Sequence, residues 1–151
     1  MEKPTFPVRP VRREELGGLL ALYTFLGENP LPADMAAVLP LWERILQNPD
    51  YRILVIEEGG RLVSSCTLLI VPNLTHGQRP YALVENVVTH PDFRGRGYGT
   101  AVLDAAAAAA RRENCYKIML LTGSKRESTL RFYQKAGYRD DLKTGFCRKL
   151  D

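Results

Sequence analysis

Apolar residues along this chain recur with two periods, and each switch between them marks a new element. Val8 and Val11 around Pro10 read as a short edge strand, since proline has no N–H to give a ladder. Leu16, Leu19, Leu20, Tyr23 and Leu26 follow at three- and four-residue spacing, a helical stripe with Gly17 and Gly18 on another face. After the turn Asn29-Pro30-Leu31-Pro32, a second helix is predicted through Met35, Val38, Leu39, Trp42, Ile45 and Leu46. It stops near Asn48-Pro49-Asp50, where proline forbids continuation. Tyr51 to Glu57 is rich in β-branched residues, Glu58-Gly59-Gly60 makes a turn, and Arg61 to Val71 runs back as the second arm of a hairpin.

A polar loop, His76 to Pro80, leads to a further strand from Tyr81 to Thr89. Gly97 to Arg112 reads as a long helix whose run Ala105 to Ala110 offers a flat surface for close packing on a sheet. Tyr116 to Leu121 is predicted as a strand and Glu127 to Ala136 as a short helix closed by Gly137. Tyr138 to Leu150 is predicted as a last pair of strands. The order β-α-α-β-β-β-α-β-α-β-β describes a mixed α/β (α+β) sheet with one central β-α-β unit, in a single domain over residues 1–151.

Composition narrows the classes. Hydrophobic residues at 45% and charged residues at 25% are ordinary for a globular domain. No apolar run approaches the roughly 20 residues of a membrane span, and Met1 to Pro7 lacks the apolar core of a secretory leader. The expected location is the cytoplasm, without a membrane partner. Cys66, Cys115 and Cys147 are expected to be reduced and mostly buried. A charge of +4 without a basic run or aromatic-basic interleaving argues against nucleic acid and suits a phosphate-rich small ligand.

Gly95, Gly97 and Gly99 alternate between a strand and a helix, where free N–H groups and the positive end of the helix dipole attract an anion. Arg94 and Arg96 add charge-assisted contacts. A tight turn with flanking surface arginines explains the glycines equally well. The P-loop pattern is excluded because no Gly-Lys-Ser/Thr follows, and the dinucleotide fingerprint because Thr100 stands where glycine is needed.

Arg94, two residues, Gly97, one residue and Gly99 match the turn of the GNAT superfamily of acyl-CoA N-acyltransferases. Val84 to Phe93 resembles the family's strand leading into that turn. Phe132-Tyr133-Gln134-Lys135-Ala136-Gly137-Tyr138 is similar to its Phe-Tyr-x-x-x-Gly-Phe/Tyr signature. Arg126 stands where the family commonly carries Asn. The resemblance implies a mixed, mostly antiparallel central sheet flanked by helices. It also implies acetyl-CoA as co-substrate, held by Arg94, Gly95, Arg96, Gly97, Tyr98, Gly99 and Thr100 at its pyrophosphate and by backbone near Val87 and Val88 along its arm. Many relatives are homodimers, so a homodimer is among the expected arrangements.

Leu83, Glu85 and Val87 alternate, which is expected to set the Glu85 carboxylate between apolar neighbours on one face. Partial desolvation would make it hold a proton more readily, as suits a general base for an ammonium acceptor; the structural alternative is an ion pair with Arg79 or Arg131. Phe132 and Tyr133 diverge by about 100° on a helix. Phe132 thus reads as core and leaves the Tyr133 hydroxyl free, where the resemblance places a general acid for the departing thiolate. His76 and His90 are isolated, and no metal is expected. A cysteine nucleophile lacks a nearby histidine.

These readings predict acetyl transfer from acetyl-CoA to a small-molecule primary amine by direct attack in a ternary complex. Asn114 to Ile118 resembles the matching strand of glucosamine-6-phosphate N-acetyltransferases, and Arg79 or Lys125 would suit a sugar phosphate. A basic acceptor pocket favours that acceptor, an acidic one polyamines or aminoglycosides. A non-catalytic acyl-CoA sensor is the reading from another class, against which the joint presence of Glu85 and Tyr133 argues.

Overall fold

Strand pairing follows the alternation of the sequence. The computed structural model describes residues 5–151; residues 1–4, the start of the segment considered for a leader, lie outside it. Five strands, β1 (Arg9–Pro10), β2 (Tyr51–Glu58), β3 (Arg61–Val71), β4 (Tyr81–Thr89) and β5 (Ile118–Met119), lie side by side in chain order. The first three pairings are antiparallel and the last is parallel. Proline at β1 occupies the edge, as its missing donor requires.

Helices cover both faces. On one, α3 (Tyr98–Arg112) buries Val102, Leu103, Ala106, Ala109 and Ala110 against Leu54, Ile56, Cys66, Leu68 and Val84, so the alanine run is the flat contact its composition predicts. The last helix, α4 (Glu127–Lys135), adds Phe132 and Tyr133 to this side. On the other, α1 (Leu16–Tyr23) and α2 (Leu39–Gln47) bury Leu16, Leu19, Leu22 and Trp42 against Ile53, Val55, Leu62 and Val88. The Trp42 indole donates to Arg13 O at 3.0 Å, satisfying its polar edge.

One irregularity redirects β4. Ser65 pairs with Val88 and Thr67 with Glu85, so Asn86 and Val87 together face Cys66 alone. This is a β-bulge, and Asn86 adopts the left-handed φ of 51° that asparagine tolerates better than most residues. Val87 therefore does not share a face with Leu83 and Glu85: it packs with Val84 and Ala82 on the α3 side. The simple alternation fails because the extra residue resets the pleat.

Three further expectations are corrected. β5 is paired at only two positions, Ala82 with Ile118 and Leu83 with Met119, because β4 leaves its neighbour beyond that point. The terminal strand pair does not form, and residues 139–151 are exposed without regular structure. On the face that Leu142, Phe146 and Leu150 would share in a strand, Thr144 and Arg148 stand between them, so no continuous apolar face is offered to the sheet. The helices are also shorter than predicted: α1 stops before Leu26, and only a 3₁₀ turn, Ala36–Val38, precedes α2.

The N-terminal edge is tied down by charge. Arg9 reaches Glu15 through two hydrogen bonds of 2.9 and 2.6 Å and Glu57 through one of 2.6 Å, while the Arg12 N–H donates to Glu15 at 2.7 Å. The Arg9 guanidinium holds the Glu15 carboxyl below its usual range. A carboxylate lowered in the native state stabilises it above the unfolded group's range and loses that contribution as pH falls through the native value. Glu15→Gln is expected to lower the unfolding free energy at pH 7 by roughly 1–2 kcal/mol. Urea denaturation should show its gap to the wild type narrowing as pH falls through the carboxylate range; a gap independent of pH would refute the assignment.

Candidate active site

The glycine turn opens where β4 ends. His90 caps a 3₁₀ turn, Pro91–Phe93, by accepting from Asp92 N at 3.1 Å, and Arg94 folds back to donate from Nε to Thr89 O at 3.1 Å. Gly95 and Gly97 take φ of 74° and 95°, conformations that L side chains rarely adopt, and Gly97 is the N-cap of α3. The first intrahelical bond runs from Ala101 N to Gly97 O. The N–H groups of residues 95–100 therefore have no acceptor among the described residues, at the positive end of a helix of 15 residues. A pyrophosphate fits this cradle: nothing lies within 4 Å of a Cβ built on Gly95, and Arg94 and Arg96 are exposed beside it.

Tyr98 contributes there only through its backbone. Its ring is buried, stacked on Phe6 at 4.1 Å, and its hydroxyl donates to Glu58 at 3.1 Å. Arg96 lies over the Phe93 ring at 5.3 Å. Gly99 has another role. A Cβ added to it would stand 2.9 Å from Phe132 Cζ, so the turn and the α4 signature meet at a contact only glycine allows.

Beyond Leu83 the β5 side of β4 is unpaired, and a cleft of about 1110 Å³ opens there. It is walled by Val87, by Thr122 to Arg126 after β5, by Thr129 and Tyr133 of α4, and by Phe25 to Gly27 after α1. Val88 turns its side chain into the α1–α2 core, which leaves its backbone as its share of the site. Tyr133 is half-buried with its ring 4.9 Å from that of Phe132, and Phe132 is packed as expected. Burial pushes the Tyr133 phenol above its usual range, and the Cys66 thiol and the Glu85 carboxylate add to the shift. It thus keeps its proton well above neutral pH.

Glu85 stands on the α1–α2 face, opposite Thr67, and is exposed rather than enclosed by apolar neighbours. The bulge and the early end of α1 leave nothing to cover it. Neither arginine considered as its partner reaches it: Arg79 donates to Asn114 O and Cys115 O, and Arg131 pairs with Glu127 at 3.5 Å. The thiols are free, though only Cys66 is buried, where desolvation pushes it up to about 12; Cys115 is half-buried and Cys147 exposed. Among the described residues no three metal-ligating side chains stand together, and no helix is long and apolar enough to cross a membrane. Sequence reasoning did not find Phe25 to Gly27, because a wall built by a loop between helices leaves no periodic signal. It also passed over Ser124 and Thr129, which hydrogen-bond to each other at 3.0 Å beside Arg126, the N-cap of α4.

The family model described as "Acetyltransferase (GNAT) family" matches residues 19–138. A putative acetyltransferase from Agrobacterium tumefaciens superimposes with a TM-score of 0.88 at 42% identity, covering 95% of this chain and 99% of that one. Glucosamine 6-phosphate N-acetyltransferase of Trypanosoma brucei brucei is 39% identical over 80 residues, 53% of this chain and 52% of that protein, so the match spans about half its length. Glucosamine 6-phosphate N-acetyltransferase 1 of Oryza sativa subsp. japonica is 28% identical over 88% of this chain and 81% of its own. The fold and cleft are of the acetyltransferase class. This chain belongs to the acetyltransferase (GNAT) family.

The contact between the two motifs yields a stability test. Gly99→Ala should force the Phe132 ring aside and lower the unfolding free energy by roughly 1–3 kcal/mol. Adding Phe132→Leu should recover part of that loss in urea denaturation, and a fully additive double variant would disprove the contact.

Proposed function

We propose that this chain acts in the cytoplasm and transfers the acetyl group of acetyl-CoA to a primary amine by direct attack in a ternary complex. Glu85 takes the ammonium proton and Tyr133 returns one to the departing thiolate. The observation that carries this reading is the placement of the two groups on opposite faces of the sheet, with the unpaired edge of β4 between them. An amine entering from the α1–α2 side meets Glu85, and a thiol leaving along the cleft meets a tyrosine that still holds its proton. The pyrophosphate rests on the N–H groups of residues 95–100 with Arg94 and Arg96.

The favoured acceptor is a phosphorylated amino sugar. Lys125 and Arg126 line the cleft and no carboxylate does, which attracts a phosphate and repels a polyamine. The similarity to the two glucosamine 6-phosphate N-acetyltransferases supports the same choice.

The C-terminal segment supports a homodimer. Leu142, Phe146 and Leu150 are 63%, 90% and 93% exposed, and a Cβ on Gly145 would stand 2.7 Å from Leu121, beside the open edge of β5. An unpaired edge next to an apolar, unpaired segment is a template for association with a second copy.

Release of CoA thiol with glucosamine 6-phosphate, spermidine and an aminoglycoside tests the activity. Glucosamine 6-phosphate should be consumed fastest, whereas a chain that binds acetyl-CoA but releases no thiol with any amine is a sensor. Tyr133→Phe should reduce kcat by about 10- to 100-fold with the KM for acetyl-CoA unchanged, and Glu85→Gln should lose the acidic limb of the pH profile. Equal turnover would remove those roles. Sedimentation should find a dimer that Phe146→Asp with Leu150→Asp converts to a monomer; a monomeric wild type ends the dimer reading.

A further inference from the structure

Beside the glycine turn stands a pair of cations, and one of them, Arg61, has no part in the scheme above. Arg61 opens β3 directly after the Gly59-Gly60 turn. The start of β3 runs beside the end of β4, with Ser64 opposite Thr89 and His90 N donating to Val63 O at 2.8 Å, which brings Arg61 to the segment entering the glycine turn. Its guanidinium carbon lies 5.4 Å from the centre of the Phe93 ring, and that of Arg96 lies 5.3 Å from the same centre. One ring thus gathers two cations, one from a hairpin and one from the turn. Phe93 itself is fixed: it packs against the α3-side core and meets the Tyr98 and His90 rings edge-on, each at 5.8 Å.

Arg61 stands opposite Glu58 in the β2–β3 register, where an ion pair would be the ordinary outcome. None forms. Glu58 accepts the Tyr98 hydroxyl at 3.1 Å instead, and the other carboxylate by the turn, Asp92, lies 3.9 Å from His90. Among the described residues neither Arg61 nor Arg96 has an ion pair, and both are exposed. Arg94 adds a third charge nearby, with its Nε on Thr89 O. Like charges gathered at one rim raise the local potential and favour an anion there. An arginine held against a fixed ring also has less side-chain freedom to lose when it binds one.

We propose that Arg61 and Arg96, steadied on Phe93, form a second anion subsite that takes the phosphate monoester on the adenosine ribose of CoA. The chain thereby tells CoA from a thiol carrier that lacks this group. The inference rests on the pyrophosphate lying on the N–H groups of residues 95–100, as proposed above. In CoA one ribose separates the monoester from the pyrophosphate, and Phe93 stands two residues before Gly95, so a seated pyrophosphate directs the second phosphate to the arginine pair. The monoester carries about two negative charges at neutral pH, and the guanidinium fork matches its oxygens. Arg61 supplies charge and hydrogen bonds; no covalent bond is made or broken.

Calorimetric binding of CoA and of dephospho-CoA, which lacks only the ribose phosphate, tests it on the full chain. Wild-type protein should bind CoA at least about tenfold more tightly than dephospho-CoA. Arg61→Gln should weaken CoA binding by about five- to twentyfold and dephospho-CoA binding by less than about twofold. Arg61→Lys, which keeps the charge without the fork, should show the same selectivity at smaller size. The side chain is exposed, so both variants are expected to fold, and thermal melting checks this. An Arg61→Gln protein within about twofold of the wild-type affinity for CoA overturns the proposal. Equal losses for both ligands in either variant overturn it too, because they place Arg61 in the turn or the fold rather than at the ribose phosphate. Wild-type protein that binds both ligands equally removes the second subsite alone. Wild-type protein that binds neither removes the pyrophosphate reading and the subsite with it.

Discussion

A side chain on a strand changes face only where the backbone gains or loses a residue, and β4 does so once, at Asn86. Everything in the cleft depends on that step. Before it, β4 holds β3 on one side and β5 on the other; after it, only β3 remains. Glu85 is left facing α1 and α2, Val87 faces α3 and α4, and the strand between them offers unpaired backbone on one edge. A sheet without the bulge would keep both residues on one face.

The gap stays open because its borders are fixed elsewhere. The alanine face of α3 lies flat on β3 and β4, and Gly99 lets Phe132 approach the first turn of that helix, which sets the position of α4 and therefore of Tyr133. Arg94 holds the turn closed by its bond to Thr89 O. The same turn leaves a row of N–H groups without acceptors, so one piece of backbone both directs α3 and attracts an anion. Lys125 and Arg126 extend the positive character into the cleft.

The elements around the site were legible where the pattern was long. β4 spans Tyr81–Thr89 as predicted, and α3 begins one residue from its expected start, because alternation and an alanine-rich helix are strong local signals. Helical geometry predicted that Phe132 and Tyr133 diverge, yet both are half-buried against the α3-side core with their rings 4.9 Å apart, because α4 lays this edge of its surface on that core. The prediction of an enclosed Glu85 failed because it assumed an unbroken pleat, and the bulge is written only in Asn86, a residue ordinary in any turn. The predicted β5 and terminal strands failed for a related reason: an apolar segment becomes a strand only if an edge remains to pair with, and β4 had already turned away.

The sequence by itself determined the order of elements as far as α4 and the glycine turn at the start of α3, and it singled out Glu85 and Tyr133 as candidates, since these follow from periodicity, glycine stereochemistry and side-chain chemistry acting over a few residues. Only the tertiary structure decided that the two groups face each other across a split sheet, that Thr67 lies buried opposite Glu85, and that loops after α1 and β5 wall the cleft. Those relations join residues far apart in the chain. They are set by strand register and by the packing of helices on opposite faces, which no local window of sequence contains.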